Sequence, residues 1–167
     1  MKTRDIAALP VGLLAPPTAH LWLWTTDTFL LNGDALEVAR AWGFTPKADF
    51  PWVKVKDPEA DDLVLQRGLG QYSRKCHEHL LLCVRGDARV PEPPDRPASV
   101  ILSTRTAHSK KPLEQFDLIK QVSRRVEGGR CEIFARQRHL GWAAIGNEID
   151  GLDVAEAIRQ EVASWRA

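Results

Sequence analysis

The residues best suited to chemistry stand just past a short apolar stretch, 131–135, that reads as a strand. Arg136, Arg138 and His139 follow it, and Asn147 and Glu148 come after Gly146. In open α/β sheets, ligands bind beyond the carboxyl ends of strands, where helix starts and unpaired loop amides converge. Guanidinium groups, an imidazole, an amide and a carboxylate gathered there suit a ligand carrying hydroxyls and a carboxylate, a description that a nucleoside meets. The same side chains also occur as solvated loop charges, and spacing alone does not separate the two readings.

Other candidates are weaker. Arg67, Arg74 and Lys75 in one loop and Arg105, Lys110 and Lys111 in another are basic groups that could meet phosphates or face water. Gly68-Leu69-Gly70 resembles the start of a dinucleotide fingerprint but fails, because Ser73 takes the place of the last glycine and no strand precedes it. His77 and His79 lie near Cys76, yet the spacing offers no fourth ligand and lacks the His-Glu-x-x-His pattern, so no metal is expected.

The elements that must position these groups follow from pattern. Residues 6–14 form a short helix-and-loop lead-in, stopped by Pro16-Pro17. Residues 20–26 read as a buried strand, 30–42 as a helix with Leu36, Ala39 and Arg40 on one face and Gly43 as its left-handed cap, and 50–55 as another strand. Strand, helix, strand predicts a parallel α/β sheet. Residues 56–75 lose all periodicity and read as a gate over a substrate or as plain disorder. Strands follow at 80–84 and 100–102, separated by a proline-rich excursion over 89–97. Pro112 opens a helix with an apolar face of Leu113, Phe116, Ile119 and Val122, and Gly128-Gly129 ends it. Asp153 and Glu156 form a capping pair for a last helix running through Ile158, Val162 and Trp165.

The chain has 167 residues, one domain's length, with 23 Lys and Arg against 22 Asp and Glu. That balance neither requires nor excludes a nucleic-acid partner. No apolar run is long enough to span a membrane, nor does the amino terminus read as an export signal. Three cysteines, Cys76, Cys83 and Cys131, show no paired spacing and read as reduced thiols in a cytoplasmic protein.

Several blocks occur together in order: His20-Leu21-Trp22-Leu23-Trp24-Thr25-Thr26, Ala41-Trp42-Gly43-Phe44, Trp52-Val53-Lys54, Gly68-Leu69-Gly70, His77-Glu78-His79-Leu80-Leu81-Leu82, His108-Ser109-Lys110-Lys111-Pro112 and Gly146-Asn147-Glu148. With Ile133-Phe134-Ala135-Arg136 and Gly141-Trp142, they resemble the adenine N6-methyltransferases related to the eukaryotic messenger-RNA adenosine methyltransferase. The resemblance implies a Rossmann-like methyltransferase sheet with helices on both faces, S-adenosylmethionine as cofactor, and methyl transfer to adenine in DNA or RNA. It also implies that Lys111 holds the methionine carboxylate and that Arg136 and His139 meet the ribose hydroxyls, although His139 stands where some relatives carry asparagine. By the same carry-over, Asn147 and Glu148 flank the ribose and adenine; Tyr72, Arg74, Lys75 and Arg105, on the two basic loops, are the candidates for meeting the nucleic acid.

The family's catalytic Asp-Pro-Pro-Trp lies on a strand before the block at His20, and it does not occur in this sequence. Asp49-Phe50-Pro51-Trp52 imitates it, making Asp49, Pro51 and Trp52 weak catalytic candidates, but Phe50 breaks the Pro-Pro turn. The expectation is therefore a single methyltransferase-like domain over 1–167, shortened at its amino terminus and lacking a central strand, between the strand at 130–135 and that at 20–26. Two facing edges with unpaired amides predict poor stability or homo- or hetero-oligomerisation. The alternative to an enzyme is a non-catalytic, nucleic-acid-binding partner subunit of the same fold.

Overall fold

The computed structural model describes residues 1–106 and 110–164. The expectations placed on His108, Ser109 and Trp165 lie outside the described residues. A short helix, α1 (Thr3–Ala7), and a single 3-10 turn lead into β1 (Ala19–Thr25). Two helices follow, α2 (Asp27–Leu31) and α3 (Asp34–Ala41), then β2 (Thr45–Lys54), β3 (His77–Arg85) and β4 (Ile101–Ser103). The chain continues through α4 (Glu114–Val122), β5 (Cys131–Ile133), β6 (Ala143–Ile145), α5 (Asn147–Asp150) and α6 (Val154–Ser164).

The first four strands form one sheet in the order β1-β3-β2-β4. The expected parallel pairing of the first two strands is corrected here. β3 lies between β1 and β2 and runs antiparallel to both, so those two point the same way without touching. Only β4 adds a parallel pairing to that sheet, through Trp52 opposite Ile101. The continuous apolar run from Leu80 to Val84 reads the same in either direction, which is why the sequence pattern could not orient β3.

β5 and β6 pair in parallel as a separate two-stranded sheet. Among the described residues no strand joins the two sheets by hydrogen bonds, and β1 has β3 as its single partner. The architecture is that of a Rossmann-like α/β fold in which side chains, rather than backbone ladders, connect the halves. Leu21 and Leu23 of β1 pack on one face with Val38, Ala39 and Trp42 around α3, in a core that also holds Ile145 and Ile158. Trp22 and Trp24 turn to the other face and pack with Phe50, Trp52, Leu80 and the α4 residues Leu118 and Val122. Helices therefore cover both faces, as strand alternation demands.

The expected single helix over 30–42 is broken at Gly33, whose φ of +85° has left the helical region. Its continuation buries Ala35, Val38 and Ala39, while Arg40 faces solvent rather than sharing the packed face. Gly43, at φ +85°, ends that helix as the sequence pattern indicates. The buried face of α4 is also rotated from the expected one. Gln115, Leu118, Ile119 and Val122 are buried, whereas Leu113 is exposed and Phe116 is half-buried. At α6 the Ala155 amide donates to the Asp153 carboxylate at 2.9 Å, making Asp153 the cap.

Arg85, at the end of β3, ties the lead-in to the α3–β2 turn. Its guanidinium donates to the carbonyls of Gly12 (2.9 Å), Ala15 (3.0 Å), Gly43 (3.2 Å) and Trp42, and stacks over Phe44. The planar fork lets one side chain satisfy carbonyls from two separate turns.

Candidate functional site

The residues beyond β5 are held by a very close strand pairing. The Ala135 amide donates to the Ile145 carbonyl at 3.0 Å, and Gly146 presses on Ala135 so tightly that a Cβ there would stand 2.8 Å from the Ala135 nitrogen. Only glycine permits that approach. Phe134, immediately before, takes φ of +63°, unique among the described non-glycine residues, and leaves its ring 45% exposed. A bulky residue in this region is strained, and such strain concentrates where a side chain must be aimed.

Past this point, Arg136 and Glu148 form an ion pair at 3.3 Å, both well exposed. Asn147 opens α5 and is exposed; its carbonyl accepts from the Gly151 amide at 3.1 Å, and its side chain has no hydrogen-bond partner among the described residues. His139 lies over Phe116 with ring centroids 4.3 Å apart, and Trp142 meets the same phenyl edge-on at 5.2 Å. The Gln137 amide nitrogen is 3.1 Å from His139 Nε2. If that amide donates, Nε2 is an acceptor and has no proton to offer elsewhere.

That assignment exposes a residue that the sequence reasoning passed over. Glu132, on β5, has Oε2 buried without a hydrogen-bond partner, and the His139 ring nitrogen stands 3.8 Å away, too far for a hydrogen bond. Burial pushes the Glu132 carboxyl above its usual range, against a weaker pull from His139. A lone carboxylate on a three-residue strand carries no sequence signal; only its unsatisfied oxygen marks it. The neighbouring Cys131 thiol is pushed up to about 11, chiefly by burial, so it is no nucleophile at neutral pH.

Lys111 lies elsewhere. Its ammonium donates to Glu78 Oε2, and Lys54 donates to Glu78 Oε1 at 2.6 Å. Burial works to raise the Glu78 carboxyl, but the two ammonium groups overcome it and hold the group below the usual glutamate range. Lys111 also stands over the Trp24 ring at 5.1 Å, and Lys54 over Trp52 at 4.7 Å. Two clefts share Lys111 as a wall. One, of about 200 Å³, is lined by Ser103, Thr104, Lys110 and Glu114; the other, of about 260 Å³, is lined by Trp24, Thr26, Phe29 and Glu78.

The expected single pocket is thus resolved into two neighbouring groups. Arg136, His139, Asn147 and Glu148 line neither cleft. The first turn of α4 links them: Gln115 accepts from the Trp24 indole at 2.7 Å on the cleft side, while Phe116 carries His139 on the other.

Of the basic side chains, those of Arg74 and Arg105 meet at Gly68, where Lys75 brings only its carbonyl. Arg74 donates to the Gly68 carbonyl at 2.8 Å, the Gly68 amide donates to the Lys75 carbonyl at 2.6 Å, and the Arg105 guanidinium stands beside Gly68. The loop over 56–75 is not patternless as expected. It folds back through a Val55–Leu65 bridge and is pinned by the Arg105 amide to Gln66 at 2.7 Å. Lys75 pairs with Asp27, whose carboxyl it holds below the usual range, beside Thr26 at the mouth of the larger cleft. Tyr72 is 95% exposed at the loop tip.

Asp49, Pro51 and Trp52 do not form a site together. Strand alternation turns Trp52 away from the other two, and its indole is fully buried, donating to the Ser103 carbonyl at 3.2 Å. Asp49 accepts from His79 at 2.7 Å. Among the described residues no cluster of His, Cys, Asp or Glu gathers as metal ligands, and no helix is long and apolar enough to cross a membrane.

A mixed sheet with helices on both faces and polar loops beyond its strand ends defines a Rossmann-like, methyltransferase-type domain. The family model MT-A70 matches residues 1–148, and the chain belongs to the MT-A70 family. It is 26% identical over 159 residues to an N(6)-adenosine-methyltransferase MT-A70-like protein of Oryza sativa subsp. japonica, covering 93% of this chain and 20% of that protein. It is also 26% identical over 162 residues to an N(6)-adenosine-methyltransferase MT-A70-like protein of Medicago truncatula, covering 93% of this chain and 24% of the relative. The chain therefore spans about a quarter or less of the length of these relatives.

Proposed function

We propose that this chain supplies the cofactor-holding and nucleic-acid-facing part of an S-adenosylmethionine-dependent adenine N6-methyltransferase acting on DNA or RNA. The observation that carries the reading is the buried oxygen of Glu132, which has no hydrogen-bond partner and stands 3.8 Å from the His139 ring nitrogen. A buried acceptor without a donor is costly, and a ligand hydroxyl is what it lacks. The donor set fits the diol of a nucleoside: Glu132 accepts from a hydroxyl, Asn147 offers both an acceptor and a donor, and the Phe134 ring supplies a flat apolar wall. Lys111 fits the carboxylate. When bound, S-adenosylmethionine supplies the electrophilic methyl group. Arg74 and Arg105 at Gly68, with Lys75 and the exposed Tyr72 on the same loop as Arg74, hold the phosphates of a strand whose base turns toward the larger cleft.

Asn147 is the cleanest probe, because its side chain makes no bond that folding needs. Calorimetric titration with S-adenosylhomocysteine should show Asn147→Ala binding roughly tenfold more weakly, the loss of about 1.4 kcal/mol, with unchanged unfolding. Equal affinity in both proteins refutes the placement.

A second reading has its own support. Lys111 is already neutralised by Glu78, which leaves the expected ligand-carboxylate partner engaged. A non-catalytic partner subunit that holds nucleic acid and assembles with an active relative accounts for that pairing. Nucleic-acid binding without any affinity for S-adenosylhomocysteine would favour it.

A further inference from the structure

Glu78 is a carboxylate with two ammonium partners of unequal freedom. Lys54 rises from β2, its side chain 12% exposed, with its ammonium over the buried Trp52 ring. Its backbone amide is fixed to the Cys76 carbonyl at 2.8 Å. Lys111 comes from the segment before α4, is 30% exposed and forms part of the wall of both clefts. A long, flexible ammonium at the junction of two cavities can turn to either. Lys54 cannot follow it without leaving its aromatic support.

We propose that Glu78 and the carboxylate of the bound ligand compete for Lys111, and that Lys54 is the positioning residue that keeps Glu78 in place when Lys111 turns away. This rests on the reading above that Lys111 takes the ligand's carboxylate. The Glu78–Lys111 pair holds the lysine over Trp24. Ligand entry exchanges one carboxylate for another at the same ammonium. Glu78 does not become an unpaired buried charge, because the Lys54 contact remains. Glu78, relieved of one donor, is then left with an oxygen directed into the larger cleft, where it can accept from an amine.

The test is calorimetry with S-adenosylhomocysteine, which carries the carboxylate, and with 5′-methylthioadenosine, which has none. Glu78→Gln removes the competitor and should tighten S-adenosylhomocysteine about fivefold to tenfold while leaving 5′-methylthioadenosine unchanged. Lys54→Met forces Glu78 to rely on Lys111 alone and should weaken S-adenosylhomocysteine several-fold, an effect that the Lys54→Met/Glu78→Gln double variant abolishes. A merely structural Lys54 would give the same loss in both backgrounds. Lys111→Met separates the two levels of argument. If it leaves S-adenosylhomocysteine affinity unchanged, the assignment of Lys111 fails and the competition fails with it. If it weakens binding while Glu78→Gln is neutral or harmful in a folded protein, the assignment stands and the competition is overturned. Absence of binding in the wild type and in Glu78→Gln alike overturns both.

Discussion

Replacing Glu132 by glutamine should make the folded protein more stable at neutral pH and poorer at holding a nucleoside. The Oε2 atom is buried without a partner. An unsatisfied buried acceptor costs about 1–3 kcal/mol, and more when it is ionised. The side chain is 33% exposed, so its other oxygen reaches water and the lower end, about 1 kcal/mol, is the appropriate magnitude. Burial raises the Glu132 carboxyl in the folded chain, so ionisation is easier in the unfolded one. The associated stability is fully present below the ordinary glutamate value of 4.5 and is lost as pH rises through the raised folded value. Glutamine does not ionise and escapes that loss. Urea unfolding of both proteins across this range should show curves that nearly coincide at acid pH and separate in favour of Glu132→Gln as pH rises. Titration with S-adenosylhomocysteine should show the opposite order, with affinity about tenfold lower in the variant. A variant less stable than the wild type at neutral pH, or a gap that closes as pH rises, would refute the reasoning about burial. Undiminished affinity would refute the assignment to the ligand.

Two other outcomes follow from the packing. Arg85→Ala leaves the carbonyls of Gly12, Ala15, Trp42 and Gly43 without their shared donor and should cost about 2–4 kcal/mol in urea unfolding; Arg85→Lys should recover little, since one ammonium cannot span both turns. A loss under about 0.5 kcal/mol would show that water replaces the guanidinium at no cost. Burial depresses the His20 imidazole in the folded chain, so its share of stability is present above the ordinary histidine value of 6.5 and is lost as pH falls through the lowered one. His20→Gln should flatten that part of the pH dependence of unfolding, and an unchanged slope would place the acid sensitivity elsewhere.

The pattern of residues located most elements but not their partners. The strand at 20–26, the cap at Gly43 and the Asp153 helix start are local events, and local chemistry encodes them. The antiparallel insertion of β3 depends on where a returning strand finds an edge, which no window of residues records. Gln115 is polar and falls outside the expected apolar face of its helix. It is buried because a tryptophan 91 positions earlier donates to it. The candidate site divides in the same way. Asp49-Phe50-Pro51-Trp52 could be read as structural from its broken turn, and its buried indole shows the packing role. That Lys111 is held by Glu78, 33 positions away, and that Glu132 lacks a donor are facts of three-dimensional proximity. Neither leaves a trace in spacing.

The division of the strands into a sheet of four and a sheet of two has a dynamic consequence. A pair of three-residue strands linked to the rest by side chains can loosen without melting the larger ladder, because among the described residues no ladder bond joins the two sheets. Deuterium should therefore enter the amides of 131–145 well before those of β3, which is bonded along both edges. A ligand spanning Glu132 and Lys111 would draw both halves into one cooperative unit, so that occupancy registers as slowed exchange far from any atom it touches.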